Sequence, residues 1–115
     1  MTDSEMTKAA AEQVMKWKVV PAKFKGPGTE NMIEFSCPDR CNVFYWPGCH
    51  SDYAWNPLVF DSNTFMLVDA LPEREIKIGR LGPYWTVDIG MRQCTSKDRR
   101  RAIVLAALRA VGVEA

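Results

Sequence analysis

The chain opens on apolar residues at helical spacing. Met6, Ala10, Val14 and Trp17 share one face of a helix that should end near Trp17. Thr2, followed three residues later by Glu5, has the spacing of a capping box at its start. Trp17 and Val19 then alternate with lysines as a short strand, which Pro21 stops. Lys25-Gly26-Pro27-Gly28 reads as a loop. Met32 to Ser36 and Asn42 to Trp46 read as two strands flanking a turn at Cys37 to Arg40. The second of these has bulky residues on both faces, as a central strand would. Trp46 to Asn56 is irregular, with Pro47-Gly48 as a turn.

Asp61 or Ser62 is an expected N-cap for a second helix. That helix carries Phe65, Leu67, Val68 and Leu71 and ends before Pro72. Arg74 to Leu81 and Tyr84 to Met91 form the clearest hairpin, joined at Gly82-Pro83. In its second strand Trp85, Val87, Ile89 and Met91 share one face, and Tyr84, Thr86 and Asp88 the other. The strict alternation marks Trp85 as core. Ser96 should cap a last helix from Lys97 to about Val111, with a stripe of Ile103, Val104, Ala107, Leu108 and Val111. The order is therefore α-β-β-β-α-β-β-α. This is an α+β fold, a mostly antiparallel sheet of four to five strands whose apolar faces the helices cover.

Composition narrows the class. At 115 residues the chain is one domain's worth. A net charge of +1 lacks the strongly basic footprint of a general nucleic-acid binder, so no polymeric nucleic acid is expected. No apolar run is long enough to span a membrane, and Met1 to Glu12 is too polar for a signal-peptide core. A cytoplasmic protein is expected, with Cys37, Cys41, Cys49 and Cys94 as reduced thiols or metal ligands.

The same pattern resembles the phage ABA-sandwich domain, an α/β/α family of tailed phages and prophages. The similar residues are the opening helix ending in Val14-Met15-Lys16-Trp17-Lys18-Val19, Trp55-Asn56-Pro57, and Phe60-Asp61-Ser62-Asn63 leading into the second helix. They continue through Tyr84-Trp85-Thr86-Val87 to the closing helix Arg101 to Leu108. The order and spacing of these pieces carry the likeness. It implies that residues 1–115 form one such sandwich domain, acting in the host-cell cytoplasm. The family has no catalytic signature to carry over, and Cys37 to Cys49 does not map onto it.

Three groups of residues suggest chemistry. Cys37, Cys41, Cys49 and His50 offer the sulfur and nitrogen ligands that zinc prefers. Only the first pair has knuckle spacing, so thiols packed as small apolar groups are the favoured reading, and no metal or other cofactor is expected. Arg92, Lys97, Arg99, Arg100 and Arg101 surround the start of the last helix, where cations oppose the helix dipole. Local stability does not account for them, whereas a phosphate site would. The plain alternative is a solvated helix end. Tyr45, Trp46, Tyr53, Trp55, Tyr84 and Trp85 supply aromatic rings, and Tyr53 and Trp55 sit in a loop from which they could stack on a base. Core or loop anchoring is the commoner role for such rings.

Catalysis has little support. His50 has no evident serine or acid partner, and no phosphate loop, HExxH or paired-acid motif occurs. The expected function is noncatalytic: a phage accessory protein that binds a small phosphorylated nucleotide, such as a host immune signal. Ser96, Arg99, Arg100, Arg101, Tyr53 and Trp55 would form its site. The alternative is a protein–protein module that inhibits a host factor or assists phage assembly, and a homo-oligomer stays open. The first requires a concave pocket joining Arg99 to Arg101 with an aromatic ring; the second requires a flat apolar patch.

Overall fold

The opening capping box forms. The Glu5 amide donates to Thr2 Oγ1 at 3.1 Å and the Thr2 amide donates to Glu5 Oε1 at 3.1 Å. The bond from the Thr2 amide, with help from the Thr2 hydroxyl, favours the ionised Glu5 carboxylate and holds its pKa below the ordinary value. In the computed structural model, which describes residues 1–21, 32–38, 41–46, 54–71, 75–90 and 92–113, the helix α1 spans Asp3–Ala9 and widens into a π-helical segment, Ala10–Val14. The Met15 amide reaches back to Ala10 O at 3.1 Å and the Trp17 amide to Ala11 O at 3.0 Å. Met6, Ala10, Val14 and Trp17 are all buried, as their spacing predicts. The segment ends at Lys16, whose φ of 61° lies in the left-handed region.

Among the described residues six strands follow, in two antiparallel sheets of three. The first sheet has the order β1 (Lys18–Val20), β2 (Ile33–Ser36), β3 (Val43–Tyr45). Here β2 is central, not the Asn42 to Trp46 strand that its bulky residues suggested. Its Phe35 pairs with Val19 on one side and Val43 on the other. The second sheet has the order β4 (Ile76–Leu81), β5 (Tyr84–Ile89), β6 (Arg92–Ser96). Gly82 opens the two-residue turn between β4 and β5 at φ 60°, the hand that matches strand twist.

One sheet of four to five strands is therefore not what the described residues form. Among the described residues β1 and β4 lie at sheet edges, where Lys18, Lys77 and Arg80 are charges that discourage further pairing. The strand β6 was not expected from the sequence, because Arg92-Gln93-Cys94-Thr95-Ser96 has one apolar side chain. It pairs through Cys94 with Val87.

Between the two sets of strands in chain order comes α2, Asp61–Ala70. Phe60, not Asp61 or Ser62, is its N-cap, and no side chain caps it. Asp61 is instead engaged by arginines from the last helix. That helix, α3, spans Arg99–Ala110. Its cap is Asp98, not Ser96: the Arg100 amide donates to Asp98 Oδ1 at 2.9 Å, while Ser96 Oγ accepts from the Asp98 amide at 3.2 Å.

The buried face of α3 holds Ala102, Ile103, Val104, Ala106, Ala107 and Leu108, and packs on β5, β6, α2, the π segment and α1. Val87, Ile89 and Cys94 from the second sheet join the same core. Each fully buried Ile, Leu or Val contributes about 1.5–3 kcal/mol. Trp85 keeps the predicted register but is only half-buried, because it lies at the hairpin end of β5. Trp17, Phe35 and Trp55 form the aromatic part of this same core, with ring centroids 5.0 to 6.5 Å apart.

Lys16 is exposed, and a side chain in the left-handed region costs roughly 1–2 kcal/mol. Lys16→Gly is therefore expected to raise unfolding stability by about 1 kcal/mol, read as a higher urea midpoint at unchanged slope. A lower midpoint would show that the Lys16 side chain supports the π segment in a way the geometry does not reveal.

Candidate functional site

Three arginines open α3 in succession, and helical geometry turns each by about 100° from the last. They therefore reach different neighbours. Arg100 Nε donates to Asp61 Oδ1 at 2.8 Å and Arg99 Nη2 reaches the same oxygen at 3.4 Å. Arg101 turns the other way, pairs with Asp3 of α1, and places Nη1 3.3 Å from Met6 Sδ. Two of the three cations thus share one carboxylate.

The Arg100 hydrogen bond is the largest influence on Asp61, and the charges of Arg100 and Arg99 add to it. Together they hold the Asp61 carboxyl below the ordinary aspartate value. These pairs are solvent-exposed, so their contribution to stability is small.

Aromatic rings flank the same helix end. Arg99 Cζ lies 5.6 Å from the centroid of Trp85, and Arg80 Cζ lies 4.9 Å from the same ring. Lys97 Nζ lies 5.9 Å from the ring of Tyr84. Among the described residues neither Arg80 nor Lys97 has a carboxylate within 4.0 Å. The surface from Arg80 to Arg100 therefore carries an excess of positive charge beside aromatic rings.

On the Arg101 side the starts of α1 and α3 enclose a cavity of about 250 Å³. Asp3, Asp98 and Arg101 supply its charged wall. Ser4 Oγ and Tyr45 OH, 3.1 Å apart, supply hydroxyls, and Asn56 a carboxamide. Leu58 and Val59 form an apolar side.

The predicted site residues divide accordingly. Arg101 lines this cavity and Arg99 and Arg100 lie outside it, against α2. Ser96 braces the cap of α3 and does not line the cavity. Trp55 is 1% exposed inside the Trp17–Phe35 centre, so it is a core ring and not a stacking platform. Its Nε1 has no acceptor among the described residues. Tyr53, Cys49 and His50 lie outside the described residues. Cys37 is buried with its thiol donating to Phe35 O at 3.7 Å, and Cys41 is exposed. No three His, Cys, Asp or Glu side chains converge among the described residues. Burial pushes the Cys94 thiol up, away from the thiolate form.

Asp61, Asp98, Asp3 and Asn56 were not singled out from the sequence as site residues. Asn56-Pro57 did carry a turn signal, since Asn before Pro favours turn initiation. The acids gave none, because their partners lie up to 98 positions away along the chain. Comparison with family models, with curated proteins and with solved structures finds no match.

The shared carboxylate is testable by titration. A lowered folded-state pKa stabilises the fold above the unfolded value, and that contribution is lost as pH falls through the folded value. Carboxyl-detected NMR should find Asp61 titrating below ordinary aspartates. Arg100→Ala should return it toward the ordinary value by more than Arg99→Ala does. Equal effects of the two variants, or an Asp61 that titrates normally in the wild type, would contradict the geometry.

Proposed function

We propose that this protein is a noncatalytic phage accessory protein that binds a small phosphorylated ligand at the start of α3. The order of helices and strands supports its kinship with the phage ABA-sandwich domain, with the strands divided between two sheets instead of one. Of the two shapes that separate the readings, a concave pocket is the more specific. The cavity holds Arg101 and Tyr45 but not Arg99 or Arg100, so that shape is formed only in part. The observation that carries the proposal is the cationic surface beside it, where Arg99 lies against the Trp85 ring. Arg99 and Arg100 lie beside the cavity and share a single carboxylate, so a second anion would complete their pairing. A host immune nucleotide is the ligand class that combines phosphate with a ring system, and the host cytoplasm is where such a protein would meet it.

A protein–protein role is the second reading, and one observation favours it. At the hairpin end of the second sheet Leu81 is 71% exposed and Tyr84 44% exposed. That is an apolar tip beside uncompensated cations, as an acidic partner surface would require.

A panel of cyclic and ADP-ribose-type nucleotides separates the two. At least one should raise the melting temperature in proportion to its concentration. Arg99→Ala with Arg100→Ala should weaken that ligand about ten- to hundredfold by calorimetry, because charge-assisted bonds contribute about 1.5–3 kcal/mol each. The fold should survive, since both side chains are exposed. Affinity should also fall as salt rises. Equal affinity in the double variant would exclude the arginines, and no response to any nucleotide would favour the hairpin tip as the functional surface.

A further inference from the structure

The hairpin register decides which backbone groups of β4 face away from β5. The Gly90 amide donates to Glu75 O at 3.3 Å, one step beyond the Ile76–Ile89 pair. Bonded and non-bonded pairs alternate along an antiparallel ladder, so Glu75, Lys77, Gly79 and Leu81 exchange their bonds with β5. The backbone N–H and C=O groups of Ile76, Ile78 and Arg80 therefore point outward. Among the described residues no strand pairs with that side of β4, and β6 occupies the far side of β5. Among them, too, α3 packs on β5 and β6, and no element but β5 packs extensively on β4. Every residue from Lys77 to Leu81 is accordingly exposed, Ile78 at 41%.

Such an edge can take up an extended segment of a partner, in which main-chain bonds supply affinity and alternate side chains supply selection. The side chains of β4 describe that segment. Ile78 and Leu81 are exposed apolar residues on opposite faces of the strand. Gly79 leaves a gap between Lys77 and Leu81 on one face, and a ring from an opposing strand covers such a gap. Charge is uneven along β4. Near its start Lys77 is answered by Glu75 at 3.4 Å and lies opposite Asp88. Near its end Arg80 has no carboxylate within 4.0 Å among the described residues. There Arg80 shares the Trp85 ring with Arg99, at 4.9 and 5.6 Å from the centroid. The hairpin end of the strand is thus basic and the other end balanced, so a matching segment carries its acid at the hairpin end. A second copy of this chain does not match, because its own Lys77 and Arg80 would join those already on the edge.

We propose that the outward side of β4 binds an extended acidic segment of another protein as an added antiparallel strand. An acidic residue lies opposite Arg80, an aromatic one opposite Gly79 and a β-branched one opposite Ile78. The assignment rests on the protein–protein reading and gives it a definite surface and partner chemistry; it is independent of the anion site.

The test uses the isotope-labelled full chain and the capped peptide Glu-Val-Glu-Tyr-Val-Thr-Thr, whose second glutamate falls opposite Arg80. The amides of Ile76 to Leu81 should shift saturably, and those of Ile78 and Arg80 should become protected from hydrogen exchange. Methylating the nitrogen of the valine opposite Ile78 removes one main-chain bond and should weaken binding about tenfold. A peptide with lysines in place of both glutamates should not bind at the same concentrations. Arg80→Glu should weaken the glutamate peptide about tenfold and favour the lysine peptide. Ile78→Pro removes an amide that the hairpin does not use, and should abolish binding while the β5 signals keep their places. The methylated peptide carries the same test on the unaltered chain. Equal binding of the methylated or the lysine peptide, or unchanged affinity in Arg80→Glu, would overturn the assignment. Shifts confined to Leu81 and Tyr84 would overturn strand addition and leave docking at the hairpin tip. Shifts confined to Arg99, Arg100 and Arg101 would overturn both and leave the anion reading standing. No response to the peptide would overturn it as well. So would Ile78 and Arg80 amides already protected in a dimer without peptide, which would make a second copy the occupant.

Discussion

The burial of one face of α3 is the constraint on which the rest of the structure depends. Six of its twelve residues are buried, and the helix meets the second sheet, α2, the π segment and α1. Three of those buried residues are alanines, Ala102, Ala106 and Ala107, and the π segment presents Ala10 and Ala11, also fully buried. Small side chains on both helices let their backbones approach closely. The widened turn at Ala10–Val14 belongs to this packing, since it reorients the end of α1 while Val14 and Trp17 stay in the core. Energetically the helix is held by Ile103, Val104 and Leu108 against Val87 and Ile89, not by its exposed ion pairs.

The position of the candidate site follows from that packing. Once α3 is fixed between α1 and α2, its first turn lies beside the start of each. Asp3 and Asp61, both first residues of their helices, then come within reach of Arg101 and of Arg99 with Arg100. An acid at a helix start is favoured by the dipole of its own helix, and here each also answers the cations that open α3. The arrangement divides the helix end into two environments: a paired, slightly acidic cavity on the Arg101 side, and a basic, aromatic-flanked surface on the Arg99 side.

Much of the fold was legible because local patterns carried it. The capping box at Thr2, the helical spacing from Met6 to Trp17, the alternation from Trp85 to Ile89 and the stripe of α3 all appear where the sequence places them. The failures have physical reasons. The strand β6 is polar and edge-lying, so its only apolar cue is Cys94. Ser96 and Asp98 are both capping residues two positions apart, and the choice of Asp98 moves the start of α3 by two residues from the expected Lys97. Trp55 sits in a stretch with no periodicity, and nothing local reveals that Trp17 and Phe35 meet it. The site was legible by half. Charge against the dipole marked the arginines, but the acids that pair with them are brought there by tertiary packing.

Native-state hydrogen exchange tests the central role of α3 most directly. If its buried face holds the two helices and the second sheet together, the amides from Ile103 to Leu108 can exchange only when the whole molecule unfolds. Their opening free energy should then equal the global unfolding free energy measured with denaturant, and should be the largest in the chain. The β4–β5 hairpin, with its exposed tip, should exchange through smaller openings. Amides of α3 that exchange well below the global value, while β5 and α2 stay protected, would contradict the account and place the stabilising centre elsewhere.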